Sequence, residues 1–242
     1  MKKVLSVLFL FASFCNSTYA QSQFESESLS TEASLSSVER NVRNAAVKVI
    51  TSGGHGSGTY VLIDGLHVIL TAQHVADGPI GTNYRIISPD SNETVLGRLV
   101  YSDSEKDVAA IYIPEMETRG PMRFNPRKNI SNVGDRIVYS GHPSSHSLLS
   151  FRGWVSGYEI SETQDKILLI HTYGWMGCSG SGIYDSRGRL VGMLWGVSVA
   201  RYPQQRLVED IIWATPAHLI SKEGILRGIC DTSLPKPEMC KD

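Results

Sequence analysis

The chain has 242 residues, 41% hydrophobic and 19% charged, with a formal net charge of −1. This is an ordinary globular balance, without the basic excess on which nucleic-acid binding draws. The 22 glycines and 10 prolines, spread among short apolar runs, favour many turns and short strands over long helices.

At the N-terminus Lys2 and Lys3 precede the apolar run Val4 to Phe14, and small or polar residues follow as far as Ala20. Residues 1–20 therefore read as a signal peptide, with Thr18 and Ala20 approximating a small-x-small cleavage site before Gln21. The run is short for a membrane span. Lipid attachment at Cys15 is disfavoured by the bulky Phe14 before it. The expectation is a secreted or periplasmic protein with no stable membrane insertion after signal cleavage. Residues 21–37 are rich in Ser, Glu and Gln, bury too little apolar surface to offset the entropy of ordering them, and read as a linker or propeptide. Cleavage leaves Cys178, Cys230 and Cys240, so at most one disulfide is intramolecular. Cys230 with Cys240 is the natural pair, tying down a Pro-containing tail, and three free thiols are the alternative.

From Val38 the pattern changes. Val38, Val42 and Ala45 or Ala46 recur at helical spacing, and Val47, Val49 and Thr51 begin a strand-like alternation. Strands are predicted at 57–64, 66–72, 83–88, 94–102, 107–113, 135–141, 149–160, 166–172, 181–186, 189–198 and 206–213. Turn signals separate them, among them Asp64-Gly65, Asn132 to Gly134 and Ser186 to Gly188. That is more than one small barrel needs, and the stretch 114–132 divides the strands into two groups. The reading is all-β, with two packed antiparallel barrels, the first over about 46–118 and the second over about 132–214. The tail 215–242 opens with a predicted helix from Pro216 to Leu226, capped by Thr215.

The sharpest chemical signal is Gly177-Cys178-Ser179-Gly180-Ser181-Gly182, opening the short apolar strand Ile183-Tyr184. A tight turn there exposes the Ser179 hydroxyl and aims the N–H groups of Gly177 and Ser179 at one point, as an oxyanion hole requires. A glycine-rich hairpin has a similar composition. A serine hydroxyl is a poor nucleophile near neutral pH, so catalysis needs a base. His74 supplies a candidate: the strand Val68-Ile69-Leu70 ends in Thr71-Ala72-Gln73-His74, placing the imidazole at a barrel edge. The ordinary reading of one such histidine is a solvent-facing loop residue. Asp107, at the head of the apolar run Val108 to Ile113, is the candidate to orient it, because a carboxylate there is costly unless paired. Asp103 and Glu105 lie close by in a more polar turn.

Taken together, these segments resemble the chymotrypsin-like serine peptidases, and within them the bacterial branch of the glutamyl endopeptidases and their secreted relatives. The resemblance runs from about Val47 to Ile220. It rests on Gly56-Ser57-Gly58-Thr59, Thr71-Ala72-Gln73-His74, Lys106-Asp107-Val108-Ala109, Ser140-Gly141-His142-Pro143 and Gly177-Cys178-Ser179-Gly180-Ser181, which occur in the family's order. It implies two six-stranded barrels of chymotrypsin-like type, with His74, Asp107 and Ser179 as a catalytic triad and the N–H groups of Gly177 and Ser179 as the oxyanion hole. The reaction implied is peptide hydrolysis through an acyl-enzyme, with a protein or peptide substrate and neither cofactor nor metal. His142 and His146 have a spacing that helical zinc ligands can have, but Pro143 makes their segment a loop.

Two departures from the family carry information. Pancreatic-type members have an aspartate at the position of Cys178, which pairs with a newly cut N-terminal ammonium. A thiol cannot make that pair, so activation by N-terminal insertion is not expected. Register also favours Ser179 over Cys178 as nucleophile, since Gly177 and Gly180 bracket Ser179. For specificity, Tyr173, Leu194, Trp195 and Gly196 are the expected substrate-binding residues. Leu194 replaces the histidine with which glutamyl endopeptidases bind a substrate carboxylate, and Tyr173 supplies no acid to select Arg or Lys, so cleavage after uncharged residues is expected. The competing readings are a catalytically silent binding module of the same fold and an esterase using the same triad. The sequence gives no firm oligomeric state, and a monomer is the simplest expectation.

Overall fold

Ser36 is a helix N-cap. Its side chain accepts the N–H of Glu39 at 3.2 Å, while the Glu39 carboxylate accepts the N–H of Ser36 at 2.7 Å. This reciprocal box starts helix α1 (Ser37–Ala45), one residue before the predicted helical spacing begins. The computed structural model describes residues 34–144, 146–162, 165–200, 206–232 and 235–240. The expected signal segment and most of the linker lie outside the described residues.

Six strands follow α1: β1 (Ala46–Ile50), β2 (His55–Ile63), β3 (Leu66–Thr71), β4 (Asn83–Ile87), β5 (Thr94–Asp103) and β6 (Val108–Tyr112). They pair antiparallel in the order β1-β4-β5-β6-β3-β2, and β2 pairs back to β1, closing a barrel. Alternation is clean in β4, where Tyr84 and Ile86 are buried and Asn83 and Arg85 exposed. Tyr60, Ile69, Leu99 and Ile111 fill the interior.

The second barrel comprises β8 (Arg136–Gly141), β9 (Leu149–Ile160), β10 (Lys166–His171), β11 (Gly182–Asp185), β12 (Leu190–Ala200) and β13 (Arg206–Pro216), closed in the order β10-β13-β12-β11-β8-β9. Ile137, Val155, Leu168, Ile170 and Ile212 form its core. The two closed six-stranded antiparallel barrels are those of the chymotrypsin-like fold.

Three local differences from the sequence-based expectation have physical causes. The connector is not structureless, because β7 (Met122–Arg123) runs parallel beside β2 at Val61 and Leu62. The strand β2 begins at His55 because its glycine-containing start pairs with β1, His55 opposite Ile50. The C-terminal helix is displaced from the predicted 216–226: β13 carries Thr215 and Pro216, a short 3₁₀ turn covers Ala217–Leu219, and helix α2 runs from Lys222 to Thr232. Thr215 caps no helix; its hydroxyl donates to Lys106 O at 2.5 Å. Ser221 takes the cap instead, accepting the Gly224 N–H at 3.0 Å, and burial of Ile225 and Ile229 against the first core carries the helix past Gly228. No helix among the described residues is long and apolar enough to cross a membrane.

Helix α1 bridges the two barrels. Its Arg43 donates to Leu148 O at 3.0 Å and its Glu39 pairs with Arg152, both at the second barrel. From the first barrel's side, the buried Arg119 guanidinium donates to the carbonyls of Arg43 and Asn44 at 3.3 and 3.4 Å, to Ser88 Oγ at 2.9 Å, and to Asp90. Substituting Arg119 by Ala removes a buried donor from the buried Ser88 hydroxyl and from three more exposed acceptors, and the expected loss in urea unfolding is about 2–3 kcal/mol. A loss below about 0.5 kcal/mol would show that the α1 junction holds without it.

Candidate active site

Strand β3 ends at Thr71, and the next residues form a turn closed by the N–H groups of Val75 and Ala76 on Ala72 O at 3.2 and 3.3 Å. Val75 and Ala76 turn inward and are buried. That anchoring leaves His74 at the rim, with 49% of its side chain exposed.

The turn before β6 delivers the partner. Asp103 organises that turn, accepting the N–H groups of Glu105 and Lys106 at 3.1 Å each and the Tyr101 hydroxyl at 3.1 Å. Its carboxylate is thereby committed. Asp107 follows in a left-handed conformation, φ 49°, which Asp tolerates better than most residues. Its two oxygens grip His74 twice: Oδ2 accepts from Nδ1 at 2.7 Å and Oδ1 accepts the backbone N–H at 2.9 Å. The imidazole is thus held with Nδ1 protonated and Nε2 free to act as a base. The Asp107 hydrogen bond raises the His74 pKa above 6.5, against an opposing contribution from burial.

Ser179 comes from the second barrel and meets β2 and the end of β3. Its carbonyl accepts the Ser57 N–H at 2.8 Å. Gly180, at φ +91°, lies so close that an added Cβ would fall 2.1 Å from Ser57 O and 3.0 Å from Ala72 N. Only glycine fits there, and Ala72 lies two residues before His74 in the chain. The Ser179 hydroxyl donates to Trp195 O at 3.3 Å, which is its partner in place of the imidazole. The N–H groups of Gly177 and Ser179 have no acceptor among the described residues.

The remaining predicted site residues fall as follows. Leu194 is buried in the second core, its N–H on Ser181 O at 3.0 Å. Trp195 is half-buried and meets Trp213 edge-on, with ring centroids 5.1 Å apart. Gly196 adjoins it at a register shift opposite Trp213. Tyr173 is 39% exposed and stacked on Phe151, so its ring lies on the surface instead of at a pocket floor. Cys230 and Cys240 are joined by a disulfide, Cα–Cα 5.3 Å, in the C-terminal tail beyond the barrels.

Cys178 is fully buried in the second core, where its sulfur lies 3.9 Å from the Tyr139 hydroxyl, whose proton goes to Tyr173 O. Burial pushes its thiol pKa up, which suits an inert thiol better than a nucleophile.

Four further residues lie outside those given a role from sequence. Ser57 and His142 belong to quoted motifs but were given no role. Ser57, buried, reaches the loop at Gly177 and Ser179 with both side chain and backbone. His142 is fully buried, its Nε2 has no partner among the described residues, and burial first, then the positive field of Lys48, lowers its pKa to about 3. Val197 and Ile212 pack on Gly174, where an added Cβ would meet their methyls at 3.2 and 2.2 Å. Every residue of β2 from Gly56 to Val61 is buried, so no alternation marks Ser57, and nothing local marks Val197 or Ile212.

The family model for a trypsin-like peptidase domain matches residues 56–193, more than half of the chain. No curated protein sequence matches. Among solved structures, the Rv3671c protease of M. tuberculosis in an inactive form superimposes with a TM-score of 0.61 at 15% identity, covering 85% of this chain and 95% of that one. The HtrA-type protease AlgW bound to a tripeptide gives 0.60 at 20% identity, over 74% of this chain and 58% of that one. A serine endoprotease from Yersinia pestis gives 0.58 at 21% identity, over 75% and 62%. These likenesses concern the fold and do not single out the glutamyl endopeptidases.

The two histidines make opposite contributions to folding stability. His74, its pKa raised, contributes stability that is full below 6.5, the unfolded value, and is lost as pH rises through the folded value. His142, its pKa lowered to about 3, favours the folded state above 6.5, and that contribution is lost as pH falls from 6.5 towards 3. In NMR titrations, His74 is expected to titrate above 6.5 and to move down in Asp107→Ala, while His142 stays neutral throughout pH 5–8. A His74 midpoint unaffected by Asp107→Ala would contradict the assigned cause. This chain belongs to the trypsin-like peptidase family.

Proposed function

We propose that the chain is a secreted or periplasmic serine endopeptidase in which Ser179 is the nucleophile, His74 the general base and Asp107 the carboxylate that orients it. The observation carrying this reading is the double grip of Asp107 on His74 beside a loop that presents Ser179 with two N–H groups unpartnered among the described residues. Ser179 Oγ attacks the peptide carbonyl carbon as its proton passes to His74 Nε2, and the oxyanion is received by the N–H groups of Gly177 and Ser179. His74 then gives that proton to the leaving amine as the C–N bond breaks. Water, deprotonated by the same imidazole, attacks the acyl ester, and the imidazolium returns that proton to Ser179 Oγ as the ester C–O bond breaks and the acid leaves. In the free protein the hydroxyl rests on Trp195 O; catalytic hydrogen bonds of this kind commonly tighten on substrate binding.

The apolar setting of Cys178 supports a mature form that does not depend on inserting a new N-terminal ammonium. Specificity is for an uncharged residue before the scissile bond. Val197 and Ile212, opposite one another on β12 and β13, close over Gly174 with aliphatic carbon. Such walls accept small apolar groups and penalise a buried charge. A peptide library is expected to show preference for small uncharged residues, and Val197→Gly to shift it towards larger ones. Sharp selection for Glu, Lys or Arg would refute the specificity.

Turnover of casein and of a short-chain ester, compared in wild type and Ser179→Ala, tests the reading against its rivals. Casein hydrolysis is expected, with a loss of about 10³-fold or more in Ser179→Ala. Because His74 accepts a proton only when neutral, kcat/KM should rise with pH through a midpoint above 6.5. A folded wild type that cleaves neither substrate points to a silent binding module, and one that cleaves only the ester to an esterase.

A further inference from the structure

Catalysis by the proposed oxyanion hole depends on the orientation of successive peptide planes, and four consecutive carbonyls in this loop are anchored. Met176 O accepts the Ser144 N–H at 2.6 Å, Gly177 O accepts Ser57 Oγ at 2.7 Å, Cys178 O accepts the Ser181 N–H at 3.0 Å, and Ser179 O accepts the Ser57 N–H at 2.8 Å. In a trans peptide the N–H points opposite to the C=O of the same plane. Fixing Met176 O therefore fixes the direction of the Gly177 N–H, and fixing Cys178 O fixes that of Ser179. The plane between these two begins at Gly177, φ +95°. Glycine offers little steric resistance to rotation there.

The Cys178 N–H of that middle plane donates to Trp175 O at 3.0 Å, and the side-chain hydroxyl of Ser57 holds its carbonyl from the opposite side. The hydroxyl's hydrogen-bond partners dictate its direction. Gly177 O can only accept and the His142 N–H, at 2.9 Å from Ser57 Oγ, can only donate; the one hydroxyl proton is therefore committed to Gly177. His55 Nε2 lies 3.1 Å from His142 O, in the next peptide plane of the same segment. Ser57 is fully buried, while Gly177, whose carbonyl it holds, is partly buried.

We infer that Ser57, on β2 of the first barrel, is a positioning residue that locks the oxyanion loop of the second barrel in its competent orientation. The inference rests on the proposed catalytic reading and deepens it. Ser57 touches neither substrate nor reacting atoms; it acts through Gly177. Its loss is felt where charge develops on the oxyanion and much less in ground-state binding.

Steady-state kinetics on a peptide substrate, with the affinity of a peptide aldehyde that forms a hemiacetal with Ser179, tests this. Ser57→Ala, shown to be folded by near-UV circular dichroism, is expected to lose about 10- to 100-fold in kcat with KM within about twofold of wild type, and to bind the aldehyde more weakly by a similar factor. Where Ser57→Ala does not fold, Ser57→Cys, near in size but a poor donor, carries the same expectation. Folded variants with wild-type kcat and aldehyde affinity would overturn the inference, as would a rise in KM with kcat unchanged. A wild-type protein that turned over no peptide would instead bring down the catalytic reading, a result distinct from any Ser57 phenotype.

Discussion

The backbone hydrogen bond from Ser57 N–H to Ser179 O, 2.8 Å long, joins the two barrels at the point where their chemistry meets. Each barrel is closed on itself and supplies only part of a site: the first carries His74 and Asp107, the second Ser179 and the glycine-rich loop. The first core reaches across to Tyr184, Leu190 and Met193 of the second barrel, but apolar contact is non-directional and does not align polar groups at hydrogen-bond precision. The seam does so through short polar contacts, and the close approach of Gly180 to Ser57 O leaves no room for a side chain between them. Helix α1 and the connector reinforce the same seam from outside, through Arg119, Glu39 and the bonds from Leu190 and Arg127 that tie the connector to β12.

Around this seam two histidines are driven in opposite directions by their settings. His74 keeps half of its side chain in solvent and has a carboxylate on one nitrogen, which favours its protonated form. His142 is buried among positive neighbours and held neutral. The first suits a base that passes through an imidazolium; the second contributes backbone groups to a fixed scaffold. Residue type alone does not distinguish these roles. Burial and the sign of the local field do.

Much of the fold was legible in the sequence because barrel strands bounded by Asp-Gly and similar turns leave a strong alternating or apolar pattern. The His74–Asp107 pairing was legible for a related reason: each stands at the junction of an apolar strand and a polar turn, where an unpaired charge is unfavourable. The C-terminal helix was misplaced because Thr215 and Ser221 are both competent caps, and continuation of β13 through Pro216 removed the first. The side chains expected to shape specificity were harder to place. Leu194 faces the core and Tyr173 the surface, while Val197 and Ile212 reach Gly174 through the β12–β13 pairing. Such convergence depends on register between distant strands and leaves no local signature. The role of Ser57 was hidden for the same reason, since its partners at Gly177 and His142 are 120 and 85 residues away in the chain.

The central claim is that Ser179 is the activated nucleophile of this seam. Mass-spectrometric peptide mapping after reaction with a peptidyl phosphonate measures it most directly. The account predicts a single adduct on Ser179 that fails to form in His74→Ala. An adduct on Cys178 or Ser181, or labelling of Ser179 undiminished without His74, would contradict it.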